Sequence, residues 1–144
     1  MIISVRNAKI SDYEDISSIN KYSLGYDNPP ELIKKNLERV LLNQDDAVFI
    51  ATANDKAVGY IHAENYNPLY SPPLKEVMSL AVMPDFQGNG IGRKLLDRVE
   101  KWAKDTGRSG IMILSQTHRT PAHIFYEACG YTLNKTQVNL IKYF

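Results

Sequence analysis

The clearest pattern along the chain is an apolar stripe at helical spacing. Ile91, Leu95, Val99, Trp102 and Ala103 recur on one side of Asn89–Lys104, and Thr106-Gly107 ends the run. A second stripe of Leu32, Ile33, Leu37, Val40 and Leu41 has Lys34, Lys35, Glu38 and Arg39 opposite it and follows the break at Asp27-Asn28-Pro29-Pro30. A shorter helix with Ile16 and Ile19 opens at Ser11-Asp12, where Glu14 stands three residues after Ser11 as in a capping box. Elsewhere the pattern changes to short β-rich or apolar runs. Ile2–Arg6, Ala47–Ala53, Ala57–Glu64, Glu76–Val82 and Gly110–Leu114 predict strands, and the Asn54-Asp55-Lys56 turn makes a hairpin of the second and third. Asn65–Pro73, with three prolines and two tyrosines, predicts a loop. Thr120-Pro121 opens a last short helix that Gly130 stops, and Tyr131–Lys135 and Val138–Tyr143 predict two closing strands. The order β-α-α-β-β-β-α-β-α-β-β predicts an α/β sheet with helices on its faces.

Length and charge narrow the function classes. A chain of 144 residues predicts one domain, residues 1–144, with a core that needs no staples. Seventeen basic residues against 16 acidic leave a formal charge of +1, so electrostatic capture of nucleic acid or of an anionic membrane is not expected. Cys129 is the only cysteine, which excludes an intramolecular disulfide and fits a reducing cytoplasm. No His-x-x-x-His spacing exists, and no metal site is expected. Met1–Arg6 reads as a strand rather than a signal peptide, and no apolar run approaches the length of a membrane span.

The segment with chemistry in it is Leu80-Ala-Val-Met-Pro-Asp-Phe-Gln-Gly-Asn-Gly-Ile-Gly92, which joins a strand to the start of the strongest helix. Gly88, Gly90 and Gly92 permit a sharp turn and a close ligand approach. The helix-start N–H groups and the helix dipole favour a phosphate there, and Arg93 and Lys94 add positive charge. The dinucleotide fingerprint fails at Arg93, where its last glycine should stand, and the P-loop fails for want of Gly-Lys-Ser/Thr. The loop reads as a pyrophosphate cradle.

These residues resemble the GNAT family of N-acetyltransferases. Gln87-Gly-Asn-Gly-Ile-Gly92 matches its Q/R-x-x-G-x-G/A signature, and Leu80-Ala-Val-x-Pro84 matches the strand before it. Ala122-His-Ile-Phe-Tyr126-Glu-Ala-Cys-Gly-Tyr131 matches its A-x-x-F-Y-x-x-x-G-F/Y motif, so the likeness covers nearly the whole chain. The resemblance implies a mixed, mostly antiparallel sheet of six to seven strands with four helices on its faces. It implies acetyl-CoA as the acetyl donor. Backbone at Gln87, Gly88, Asn89, Gly90, Ile91, Gly92 and Arg93 would hold the pyrophosphate. Leu80, Ala81 and Val82 would pair with the pantetheine arm, where strands splay, and the Val82 N–H would polarise the acetyl carbonyl. Arg119 replaces the Asn that many members carry. In the context Arg119-x-x-Ala-His-x-Phe-Tyr it is similar to small-molecule acetyltransferases, including those acting on aminoalkylphosphonates, and makes Arg119 a candidate CoA or substrate contact.

Acetyl transfer to an amine needs a neutral amine, a stabilised oxyanion and a proton for the leaving sulfur. A free alkylamine has a pKa of about 10, so a base must take its proton. The resemblance makes Tyr126 the acid. Glu76 is the candidate base because strand alternation would put it on a face with Met78, Leu80 and Val82. His62, Glu64, Tyr66 and Tyr70 are secondary acceptor-site candidates; His118, His123 and Cys129 read as surface, capping and packing residues. The expected function is acetyl-CoA-dependent acetylation of a small primary amine by direct attack. The alternatives are a protein or peptide N-acetyltransferase and a non-catalytic acyl-CoA-binding regulatory module. The apolar Val138–Phe144 segment suggests a homodimer.

Overall fold

The sheet follows the chain in order, β1 to β5 side by side. In the computed structural model, which describes all 144 residues, the strands are β1 (Ile3–Asn7), β2 (Asp46–Ala53), β3 (Lys56–Tyr66), β4 (Leu74–Val82) and β5 (Ile111–Ile113). The helices are α1 (Tyr13–Ile19), α2 (Pro30–Leu41), α3 (Ile91–Asp105) and α4 (Thr120–Ala128). A 3₁₀ turn at Ile10–Asp12 leads into α1, a π turn at Asn20–Leu24 leaves it, and Pro84–Phe86 forms a 3₁₀ turn before the glycine loop. The chain divides into two compact units, Met1–Ile113 and Leu114–Phe144.

The first unit contains all five strands. β1–β2, β2–β3 and β3–β4 pair antiparallel, and β4–β5 pair parallel. The β2–β3 turn has Asn54 and Asp55 at φ of +49° and +69°, the left-handed pair that a tight hairpin requires. One face of the sheet packs on α1 and α2 through Ile16, Ile19, Leu37, Val48, Ile50 and Tyr60. The other receives α3, whose Ile91, Leu95, Leu96, Val99 and Ala103 are buried at the expected spacing. Arg98 and Trp102 of α3 lie against Phe49 of β2 and Lys75 of β4 on that side. Lys75 is itself buried, its Nζ 3.5 Å above the Trp102 ring and 2.5 Å from Asn65 Oδ1.

The entry to α1 differs from the sequence expectation. Asp12, rather than Ser11, ties down the turn: it accepts from the Lys9 N–H at 2.7 Å and from both Arg6 guanidinium ends at 2.8 Å. Burial would raise the Asp12 carboxyl, but those donors bring it below the ordinary value.

The second unit holds α4, with Pro121 in its first turn. After α4, residues 131–144 form neither helix nor strand, and Leu133, Val138, Leu140, Ile141 and Tyr143 are exposed. This corrects two expectations. Tyr131–Lys135 and Val138–Tyr143 are not strands, and the sheet has five strands, not six to seven. With one of its four pairings parallel it is a mixed sheet. A strand exists only when its backbone finds a ladder partner, and the apolar spacing of this segment does not supply one. No helix is long and apolar enough to cross a membrane.

Candidate functional site

Two features of the first unit make a ligand slot. β5 pairs with β4 only over Lys75–Val77, so β4 from Met78 to Val82 is laddered to β3 alone. The other backbone edge of Leu80, Ala81 and Val82 is not part of a strand pairing, and an extended ligand arm can hydrogen-bond there. Immediately beyond lies the glycine loop. Gln87 Nε2 donates to Val82 O at 3.0 Å and Asn89 Nδ2 to Phe86 O at 3.0 Å, which fix the loop between strand and helix.

Gly88 and Gly90 have φ of +81° and +76°, where only glycine sits without strain. A Cβ added at either would meet no protein atom within 4 Å. Packing is therefore not the reason for glycine here. The backbone turn is, and it leaves open space over the loop. Gly90 is also the N-cap of α3 and brings no side chain to satisfy the helix-start amides. A pyrophosphate suits both the open space and those donors.

Across the other face of β4 the structure corrects the sequence expectation for Glu76. Pairing runs His62↔Ser79 and then Ala63↔Val77 and Glu64↔Glu76, so Met78 is an extra residue, a β-bulge. Directly opposed residues point to the same side of a sheet. Glu76 therefore shares a face with Ser79 and Ala81, not with Leu80 and Val82. This is the face on which α1 and α2 pack, since Ala81 and Tyr60 belong to their core. Met78, displaced by the bulge, is half exposed.

Glu76 and Glu64 stand directly opposite one another. Partial burial raises the Glu76 carboxyl above its ordinary value, and the neighbouring Glu64 charge raises it further. A carboxyl with a raised folded-state pKa adds stability below its unfolded value and loses that contribution as pH rises through the folded value. Glu76→Gln is accordingly expected to raise the melting temperature at pH 7–8, with the gain shrinking as the wild-type carboxyl protonates in acid. Thermal melts of both proteins from pH 4 to 8 check this; equal melting temperatures throughout would show that Glu76 carries no such burden.

A cavity of about 230 Å³ opens on the same face between the helix pair and the sheet. Ile16, Ile33, Leu37 and Val40 wall it, and Tyr60, His62 and Ser79 line its floor. Tyr60 Oη is hydrogen-bonded to Asn20 Oδ1 and to Ser79. His62 Nε2 lies 2.7 Å from Asp46 Oδ1, with side-chain exposures of 21% and 8%. Asp46 was missed from sequence. Of the secondary candidates, Tyr66 and Tyr70 pair through their hydroxyls at 3.0 Å, with Tyr70 exposed.

Tyr126 and Arg119 belong to the second unit. Tyr126 sits on α4 with its ring 5.4 Å from Phe125 and 6.3 Å from Tyr131. Burial pushes its phenol up, while Arg119 pulls it down and Cys129 adds to the rise. The net direction is upward, so the hydroxyl holds its proton. Arg119 is the N-cap of α4, and its carbonyl accepts the His123 N–H at 3.2 Å. His123 Nε2 contacts Gln116 O at 3.0 Å, a local tie ahead of the helix.

Comparison with known proteins bears on this site. The family model described as acetyltransferase (GNAT) family matches residues 10–131. The aminoglycoside N(6')-acetyltransferase type 1 of Stenotrophomonas maltophilia is 32% identical over 102 residues, 67% of this chain and 67% of that protein. Among solved structures, aminoglycoside acetyltransferase AAC(6')-Iy, in complex with the bisubstrate analogue CoA-S-monomethyl-acetylneamine, superposes with a TM-score of 0.87 over 99% of both chains at 20% identity. A transcriptional regulator from Bacillus halodurans C-125 superposes equally well, TM-score 0.87 at 17% identity, over 98% of this chain and all of its own. Likeness at such identities shows the fold alone.

Proposed function

The chain belongs to the acetyltransferase (GNAT) family, and from that premise we propose that it moves the acetyl group of acetyl-CoA to a small primary amine. The observation that carries the choice of acceptor is the Glu64–Glu76 pair beside the cavity floored by Tyr60, His62 and Ser79. Two carboxylates facing each other attract an ammonium group, and a cavity of this volume has room for a small substituent rather than a folded surface. The name of the 32%-identical Stenotrophomonas relative, an aminoglycoside acetyltransferase, supports an amine-rich small molecule.

Acetyl-CoA supplies an acyl group already activated as a thioester. Gln87–Arg93 would hold its pyrophosphate, and Leu80, Ala81 and Val82 would hold its pantetheine arm along the free edge of β4, with Arg119 a further contact. Glu76 is the base: burial and the facing Glu64 charge raise its pKa, which makes it a better proton acceptor than an ordinary carboxylate. Tyr126 is the acid, carrying at Oη the proton that the leaving sulfur needs.

The test is an acceptor screen by thiol release: simple alkylamines, polyamines, aminoglycosides, aminoalkylphosphonates and peptides, each with purified protein and acetyl-CoA. At least one small amine is expected above background. Acetylation of peptides alone would replace this reading with protein modification. Silence with every acceptor, together with tight CoA binding, would favour a regulatory module.

A further inference from the structure

We propose that the Asp46–His62 pair is the proton sink of the acceptor site. The inference rests on the reading of Glu76 as base and extends it to a second group that the GNAT signatures do not contain. Three observations carry it. His62 Nε2 and Asp46 Oδ1 are 2.7 Å apart, and the Asp46 side chain is nearly buried. His62 lines the cavity and lies opposite Ser79. His62 and Glu64 are two residues apart on β3, and Glu64 lies opposite Glu76, so His62 and Glu76 are diagonal neighbours on one face. Side chains in that relation are within reach directly or through one water.

The proton count is simple. The acceptor arrives as an ammonium and must lose one proton before its nitrogen attacks. Glu76 takes that proton and becomes neutral. His62 takes it from Glu76 on Nδ1, the ring nitrogen not turned to Asp46, which restores the Glu76 carboxylate. The imidazolium formed sits against the Asp46 carboxylate, which fixes the ring and offsets its charge. Cavity water then removes the proton. A carboxylate alone has to discharge against the charge of Glu64; the pair gives it an outlet on the same face of the sheet. The ionisable groups facing His62 are Asp46 from β2, Tyr60 and Glu64 from β3, Glu76 from β4 and Arg39 from α2, which also lines the cavity.

The experiment uses the full chain with the best amine found in the screen. His62→Gln should lower kcat/KM by about 10²-fold near neutral pH, the low end for acid–base catalysis. The deficit should shrink as pH approaches the amine's own pKa of about 10, where no base is needed. Asp46→Asn should lower it less, and the double variant should be no worse than His62→Gln, because the two act as a unit. The thermal shift given by CoA should be unchanged in all three. A second readout needs no turnover. The chain has three histidines, and His62→Gln assigns the His62 resonance. Glu76→Gln should shift the His62 ring resonances in NMR spectra, because the two side chains are diagonal neighbours on one face, without shifting those of His118 or His123. A pH-independent loss in His62→Gln, or His62 ring resonances indifferent to Glu76→Gln, would reduce the pair to a structural tie and overturn the proposal. The two readings fail separately. A silent His62→Gln beside an impaired Glu76→Gln removes the pair and leaves Glu76. An impaired His62→Gln beside a silent Glu76→Gln removes Glu76 and keeps the pair as the acceptor of the proton.

Discussion

Tyr126→Phe is expected to lower kcat by about 10²–10⁴-fold while leaving the affinity for acetyl-CoA nearly unchanged. The reason lies in when the hydroxyl is needed. A thiolate leaving without a proton is a poorer leaving group, and that demand exists only as the carbon–sulfur bond breaks. An interaction made only then raises kcat without tightening ground-state binding. The environment of Tyr126 suits the role. Burial outweighs the pull of Arg119 and holds the phenol above its ordinary pKa, so it stays protonated across the range where amines begin to be free. The substitution also isolates the effect. The ring contacts with Phe125 and Tyr131 survive in phenylalanine, so the fold loses little. Single-turnover rates with saturating acetyl-CoA separate chemistry from product release. An unchanged single-turnover rate would take Tyr126 out of the mechanism and leave the sulfur to be protonated by solvent.

How much of this was legible in the sequence depends on whether the information is local. The first nine elements appear in the expected order because each rests on its own periodicity: Ile91, Leu95 and Val99 bury one side of α3 whatever lies elsewhere. The glycine loop was legible for the same reason, since Gly88 and Gly90 are specified by their own backbone angles. The face of Glu76 was not. Alternation is reliable only in an uninterrupted strand, and the extra residue at Met78 moves Glu76 to the side opposite Leu80 and Val82. Nothing in Glu76-Val-Met-Ser-Leu80 announces that bulge. The Asp46–His62 pair was hidden in a related way. Counting outward from the Asn54–Asp55 turn sets Asp46 opposite Ala63; a second bulge, at Val58, sets it opposite Glu64 instead. The closing strands failed because a ladder is a long-range agreement between two segments. Val138, Leu140, Ile141 and Tyr143 make an apolar run, yet no pairing forms.

Gly90→Val is expected to abolish the stabilisation that CoA gives the wild-type fold. A ligand at 100 times its dissociation constant stabilises the folded state by about 2.7 kcal/mol. For a chain of this length that is a rise in melting temperature of roughly 5–10 °C. Valine at position 90 acts against it twice. It must adopt a φ of +76°, which costs an L-residue about 1–2 kcal/mol, more with branching at Cβ. It also puts a side chain into the open space over the loop, where Cβ meets no protein atom and where the phosphates would lie. The first effect is general and the second is local, so they can be separated. Gly107, at the far end of α3, has a φ of +74° and equally open surroundings. Gly107→Val therefore carries the same backbone penalty without approaching the loop. Both variants should melt lower than wild type by a similar amount in buffer. With millimolar CoA, Gly107→Val should recover the full wild-type shift and Gly90→Val should show none. Equal CoA shifts in the two variants would mean that the ligand does not rest on this loop. A wild-type protein with no shift at all would remove the cradle itself, because the open, glycine-lined start of α3 would then have no pyrophosphate to hold.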